Sequence, residues 1–148
     1  MNRRELILGA AALAAAATTS RAFAAGSEHE HDHHQHASGS RYDALIAAAA
    51  DCSLKANQCQ QHCIVSMGQG ETDLAACARS SSQAAAICMA LQQLAVSNAK
   101  QLPQLARVAM DICKECEDEC RKTERHPECK ACKEACIACY NECKRIAA

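Results

Sequence analysis

The sequence predicts an all-α fold: an antiparallel, up-down-up-down four-helix bundle with a cysteine-lined core. Three observations carry that expectation. From Tyr42 onward, apolar residues recur every three or four positions, the period of an amphipathic helix. Glycine and proline interrupt this pattern at three places only, with turns short enough for antiparallel neighbours. No stretch alternates with the period of two that marks a strand.

Residues 1–24 stand apart from the fold. Asn2-Arg3-Arg4-Glu5-Leu6-Ile7 is a twin-arginine pair followed by apolar residues, and Leu6 to Ala17 is an alanine-rich apolar run. Ala22-Phe23-Ala24 has the small-x-small form of a cleavage site. The run is too short to span a membrane as a helix, and Arg21 closes it. A cleaved leader is expected, and the arginine pair favours the twin-arginine route to the periplasm. Residues 25–40 are polar and low in complexity, with His29, His31, His33, His34 and His36. That segment is expected to be disordered, either capturing metal in transit or simply solvated.

Residues 41–148 form the predicted bundle. Ser40 or Asp43 is placed to cap a first helix from Tyr42 to Met67, which Gly68-Gln69-Gly70 ends. Thr72, between Glu71 and Asp73, begins a second that runs to Asn98 or Lys100. Pro103 stands near the start of a third, where its missing N–H is harmless. His126-Pro127 closes that helix and opens a fourth.

Composition says what such a bundle lacks. Trp is absent, the one Phe lies in the leader, and Ala and Cys supply most of the apolar residues. Side chains this small fill a bundle interior poorly, so something besides aliphatic packing is expected there. Without Arg3, Arg4, Arg21 and Glu5 the chain has 13 basic and 16 acidic residues, a net charge of −3. With no basic stripe and only Tyr42 and Tyr140 as aromatics, nucleic-acid binding has no support. No apolar run approaches the ~20 residues of a membrane span.

The cysteines fall at 52, 59 and 63; 77 and 88; 113, 116 and 120; and 129, 132, 136, 139 and 143. In the fourth helix the gaps alternate between three and four residues, the a/d seam of a heptad. Cys77 to Cys88 is eleven residues, or three helical turns. All cysteines of a helix therefore face the bundle axis. The same seams contain Leu45, Ala49 and Ala56; Leu74, Ser81, Ala84, Leu91 and Ala95; and Leu102, Ala106 and Ala109. Lys55, Arg79, Lys114, Glu117, Asp118, Lys130 and Lys133 fall on opposite faces.

Four readings compete for this stripe. Cysteine as a small buried hydrophobe explains one or two positions, hardly thirteen. Disulfides suit an exported chain. However, thirteen is odd, and helical neighbours stand ~5–6 Å apart at Cβ where a relaxed bridge prefers ~3.5–4.5 Å. Iron–sulfur ligands lie in irregular loops with a trailing Cys-Pro, which this chain lacks. Direct ligation of soft d¹⁰ ions fits best, since thiolates favour Cu(I) and Zn. Thiolates matched by as many Cu⁺ are neutral, whereas Zn²⁺ with four thiolates keeps two negative charges in a medium that penalises them. Zinc also favours discrete sets of four ligands, which an unbroken stripe does not resemble. The predicted function is therefore non-enzymatic: binding and storage of multiple Cu(I) ions for detoxification and delivery. A zinc or metallothionein-like buffer is an alternative. A thiol–disulfide redox protein using Cys129 and Cys132 is another, but it leaves eleven cysteines unexplained.

The pattern resembles the exported bacterial copper storage proteins. The likeness rests on Cys59-x-x-His62-Cys63, Cys113-x-x-Cys116-x-x-x-Cys120 and the five-cysteine ladder from Cys129 to Cys143, with the twin-arginine leader and His-rich segment alongside. The resemblance implies that all thirteen cysteines are ligands: Cys52, Cys59, Cys63, Cys77, Cys88, Cys113, Cys116, Cys120, Cys129, Cys132, Cys136, Cys139 and Cys143. It also implies that His62 sits at the bundle mouth and that subunits associate as tetramers. One departure stands out. Exported members carry several Met after the His-Cys pair, and here only Met67 does.

Antiparallel topology gathers Cys59, Cys63, Cys77, Cys120 and Cys129 at one end, with His62, Met67 and His126 nearby. Leu45, Leu91, Leu94, Leu102, Leu105 and Ile146 plug the other. Copper is expected to enter at the sulfur-rich end and to be released to a copper-receiving protein; His62 and Met67 are the candidate entry ligands, the alternatives being a solvent-facing histidine and a methionine that closes the last turn of its helix. His126 reads as a turn residue, and Met89 and Met110 as core.

Overall fold

The computed structural model describes residues 41–147, so the expected leader and His-rich segment lie outside the described residues. Helices α1 (Asp43–Gly68), α2 (Ala75–Val96), α3 (Leu102–Lys122) and α4 (Pro127–Ala147) follow in order, with a 3-10 turn at Thr72–Leu74 before α2. Each helix packs on the next and α4 returns to α1, while the diagonal pairs barely touch. This is the predicted up-down-up-down bundle.

The helix ends depart from the expected caps and boundaries. Tyr42 occupies the N-cap of α1 and no side chain caps it; Asp43 is already in the first turn. At the other end Gly70 takes φ +105, and its N–H donates to the Met67 carbonyl at 3.0 Å. A side chain there is strained, so glycine is needed at this one position. Thr72 starts a tighter 3-10 turn before α2 proper. Asn98 stops α2 earlier than expected, because it adopts φ 51 and the Ala99 N–H turns back to Leu94 at 2.9 Å. Pro103 lies in the first turn of α3, and Pro127 is the first residue of α4.

Every seam residue read from the sequence is buried, down to Ser81 at 0 % exposure. Leu45, Leu91 and Leu102 plug one end, with Leu94, Leu105 and Ile146 partly buried against them. Met110 packs against the core, but Met89 is 54 % exposed. It sits one residue beyond Cys88, and that single step turns it away from the axis. Lys133 is half-covered because it reaches the Glu124 carboxylate. Among the described residues, no helix is long and apolar enough to cross a membrane.

Candidate metal centre

All thirteen cysteines are free thiols, and none exceeds 1 % exposure. Their seams converge so closely that sulfurs on different helices touch. Toward the end where α1 meets α2 and α3 meets α4, Cys59 lies 3.5 Å from Cys77, 3.6 Å from Cys129 and 4.0 Å from Cys120. Cys77 is 3.5 Å from Cys120 and 3.7 Å from Cys129, and Cys63 is 3.9 Å from Cys129. Midway, Cys116 stands 3.7 Å from Cys132 and 3.9 Å from Cys120. Further along, Cys52 is 3.7 Å from Cys136, and Cys88 is 3.7 Å from Cys139.

These separations suit shared ions. With a metal–sulfur bond near 2.3 Å, two sulfurs on one ion stand about 3.8–4.0 Å apart in tetrahedral or trigonal geometry. Four groups of sulfurs lie close enough to hold an ion: Cys52/Cys88/Cys113/Cys139, Cys59/Cys63/Cys77/Cys129, Cys59/Cys120/Cys132 and Cys116/Cys132/Cys136. Two of these are four-sulfur sets, contrary to the expectation of an unbroken stripe. Spacing along one helix hides them because each set draws on several helices. Cys59 and Cys132 each belong to two groups, so three of the sets merge; the Cys52/Cys88/Cys113/Cys139 set shares no member with them and adjoins them where Cys52 lies 3.7 Å from Cys136. Cys143 lies outside them, and Cys139 is the largest influence pushing its thiol up.

The thiols share protons unevenly. Hydrogen bonds from Cys113 and then Cys136 lower Cys52 to about 6, and Cys120 and Cys129 lower Cys77 to about 7. Cys59 and Cys116 are also held low, each first by Cys120, and Cys139 first by Cys113. Their partners pay the reverse effect: Cys88 is pushed up first by Cys113, Cys120 by Cys116, Cys129 by Cys59 and Cys136 by Cys113. Burial raises Cys63. A network that has already weakened some S–H bonds gives those protons up readily to a soft cation.

Over the sulfur-rich end lies a histidine–carboxylate chain. His62 Nε2 is 3.0 Å from His126 Nδ1, His62 Nδ1 is 3.4 Å from Glu128, and His126 Nε2 is 3.4 Å from Glu71. His62 lines an open surface depression with Gln58, Gln61, Val65 and Glu128. The reading of His126 as a turn residue is thus too narrow: its carbonyl accepts from Lys130 at 3.0 Å while its ring pairs with His62. Its place beside Pro127, at the same end as His62, was the available signal. Met67 packs half-buried against the core in the last turn of α1. Leu74 is fully buried at this end too, so aliphatic closure is not confined to the far end.

The sequence profile described as copper storage protein matches residues 38–148. The chain belongs to the copper storage protein family. A curated relative, the uncharacterized cysteine-rich protein YhjQ of Bacillus subtilis, is 30 % identical over 106 residues, spanning 72 % of this chain and 95 % of the relative. Among solved structures, apo copper storage protein 3 from Bacillus subtilis superposes with a TM-score of 0.65 at 29 % identity, covering 72 % of this chain and 99 % of that one. The Cu(I)-bound form of that copper storage protein gives 0.65 at 28 % identity, covering 72 % and 98 %. Membership of this family agrees with the soft-metal reading of the thiol array.

Proposed function

We propose that this family member stores multiple Cu(I) ions on its thirteen core cysteines and exchanges them at the His62–His126 end. The observation that carries this is the sulfur array, with neighbours 3.5–4.0 Å apart and no Lys or Arg among the buried residues of the described chain. Each Cu(I) that replaces a thiol proton leaves the core neutral. The two four-sulfur sets favour zinc as a second reading, but a pair of zinc tetrathiolates concentrates four negative charges in a dry tube. Anaerobic titration of reduced protein with Cu(I) against a chelator, repeated with Zn²⁺ in competition, tests both. Saturation at one or two ions, or zinc retained against Cu(I), overturns the copper reading.

Uptake runs through His62, His126 and Met67, and a copper-receiving protein docks at the same end. A cleaved twin-arginine leader at residues 1–24 carries the chain to the periplasm, and the histidines of residues 25–40 gather metal for the bundle at 41–148. N-terminal sequencing of the mature protein from fractionated cells checks cleavage and compartment together.

A homo-oligomer forms through α1 and α2. Those helices carry only Asp43, Asp51, Lys55 and Arg79 as charged residues, and they expose Leu54, Ile64, Val65, Met89 and Val96. Light scattering reads the state directly: the wild type is expected above monomer mass, and Leu54→Glu with Val96→Glu at it. A monomeric wild type removes this part.

A further inference from the structure

Two hydroxyls are built into the wall of the thiol array, and both adjoin its sulfur-rich half. Ser81 occupies a seam position of α2 that could hold another cysteine, and it is fully buried. Its Oγ lies 3.4 Å from the Cys59 sulfur, 3.9 Å from Cys116 and 4.0 Å from Cys77. Thr123, 5 % exposed, follows the last turn of α3 next to Cys120, and its hydroxyl is among the groups that favour the thiolates of Cys77 and Cys129. At present both hydroxyls also donate to carbonyls: Ser81 to Cys77 at 2.7 Å, Thr123 to Cys120 at 3.3 Å. No side-chain hydroxyl of the described residues hydrogen-bonds to Cys52, Cys88, Cys113 or Cys139, whose close partners are other sulfurs.

Loading with metal changes the supply of donors. In the free protein, sulfur–sulfur hydrogen bonds are made by S–H groups. Each Cu⁺ that binds a thiol forms a sulfur–copper bond and releases that proton to solvent, with no change of oxidation state. As the array fills, the S–H donors vanish and every sulfur becomes an electron-rich acceptor. Hydroxyl groups keep their protons. They are then the side-chain donors left in the tube, and a carbonyl bond can be exchanged for a stronger one to a thiolate. Sulfurs beside Ser81 and Thr123 gain from this exchange, and the Cys52/Cys88/Cys113/Cys139 set does not.

We propose that Ser81 and Thr123 are positioning residues whose hydroxyls hydrogen-bond to the copper-bound thiolates of Cys59, Cys77, Cys116 and Cys129, making this half of the array the tighter store. The inference rests on the Cu(I) reading above. It places the tightest ions nearest the His62–His126 end, with the weaker set deeper. The apo geometry already leans this way: the Ser81 hydroxyl donates to the Cys59 sulfur at 3.4 Å.

Full-length reduced wild type, Ser81→Ala, Thr123→Val and Thr123→Ser are loaded anaerobically with Cu(I) against a chelator, with thermal melting of the apo forms alongside. Ser81→Ala and Thr123→Val are each expected to weaken the tightest-bound ions about tenfold while leaving total capacity unchanged, as loss of an outer-shell hydrogen bond to a metal ligand does. Thr123→Ser, which restores the hydroxyl, is expected to recover wild-type affinity. If both variants match wild type across the titration, or Thr123→Ser stays as weak as Thr123→Val, the hydroxyl role is wrong. Thr123→Val keeps the side-chain shape, so it decides the matter if Ser81→Ala melts early. A wild type that saturates at one or two ions instead brings down the copper reading itself.

Discussion

At the residue scale, burial divides the labour. Sulfurs at 0–1 % exposure cannot meet an incoming ion, so a partly exposed group must hand it inward. His62 and His126 are the side chains in that position, one residue from Cys63 and three from Cys129. Replacing both by alanine is expected to slow initial Cu(I) uptake about tenfold, leaving the final capacity intact, as stopped-flow absorbance of the copper–thiolate bands will read. Uptake at the wild-type rate would move the mouth elsewhere. The cysteines were legible one by one, because a seven-residue period fixes a facing direction. His126 was not. Its role depends on a 3.0 Å approach to a histidine 64 positions away, and no local pattern records that distance.

At the element scale, the two links over the sulfur-rich end act together. Arg125, before α4, pairs with Asp73 at 2.8 Å and Glu71 at 3.5 Å, both before α2. Exposed pairs of this kind contribute little to stability, but they hold the two links side by side. The α1–α2 link depends on Gly70 at φ +105. Gly70→Ala is expected to cost about 1–2 kcal/mol, read as a lower apo melting temperature. An unchanged melting temperature would mean the turn relaxes without cost. Helix boundaries were legible wherever glycine or proline marked them. The early stop of α2 was not, since asparagine tolerates the left-handed conformation without demanding it.

At the scale of the whole molecule, the apo core is a proton store as well as a metal store. Unfolded cysteines titrate near 8.5. Five are depressed in the fold, Cys52 and Cys77 to about 6 and about 7 with Cys59, Cys116 and Cys139 also low. In the window from their folded values up to about 8.5 the unfolded chain binds more protons, so stability rises with pH. The other eight are raised: Cys63, Cys88, Cys113, Cys120, Cys129, Cys132, Cys136 and Cys143. Above about 8.5 the unfolded chain releases protons that the fold retains, and stability falls. Denaturant midpoints of the reduced apo protein should therefore peak near pH ~8.5; a monotonic profile contradicts the proton sharing described. Saturating Cu(I) binds only the assembled array, so it should raise the melting temperature and flatten that pH profile. A melting temperature indifferent to copper would mean that the array does not bind it in the folded state.

The sequence alone determined the bundle, its four helices, the inward face of every cysteine and the softness of the metal, because helical period and ligand chemistry are local properties. Tertiary structure decided which sulfurs share an ion. It resolved the apparent stripe into three merged sets and one separate set, paired His126 with His62, and set Ser81 and Thr123 against one half of the array. Such relations are distances between helices, fixed by how the four seams pack, and a single seam carries no record of them.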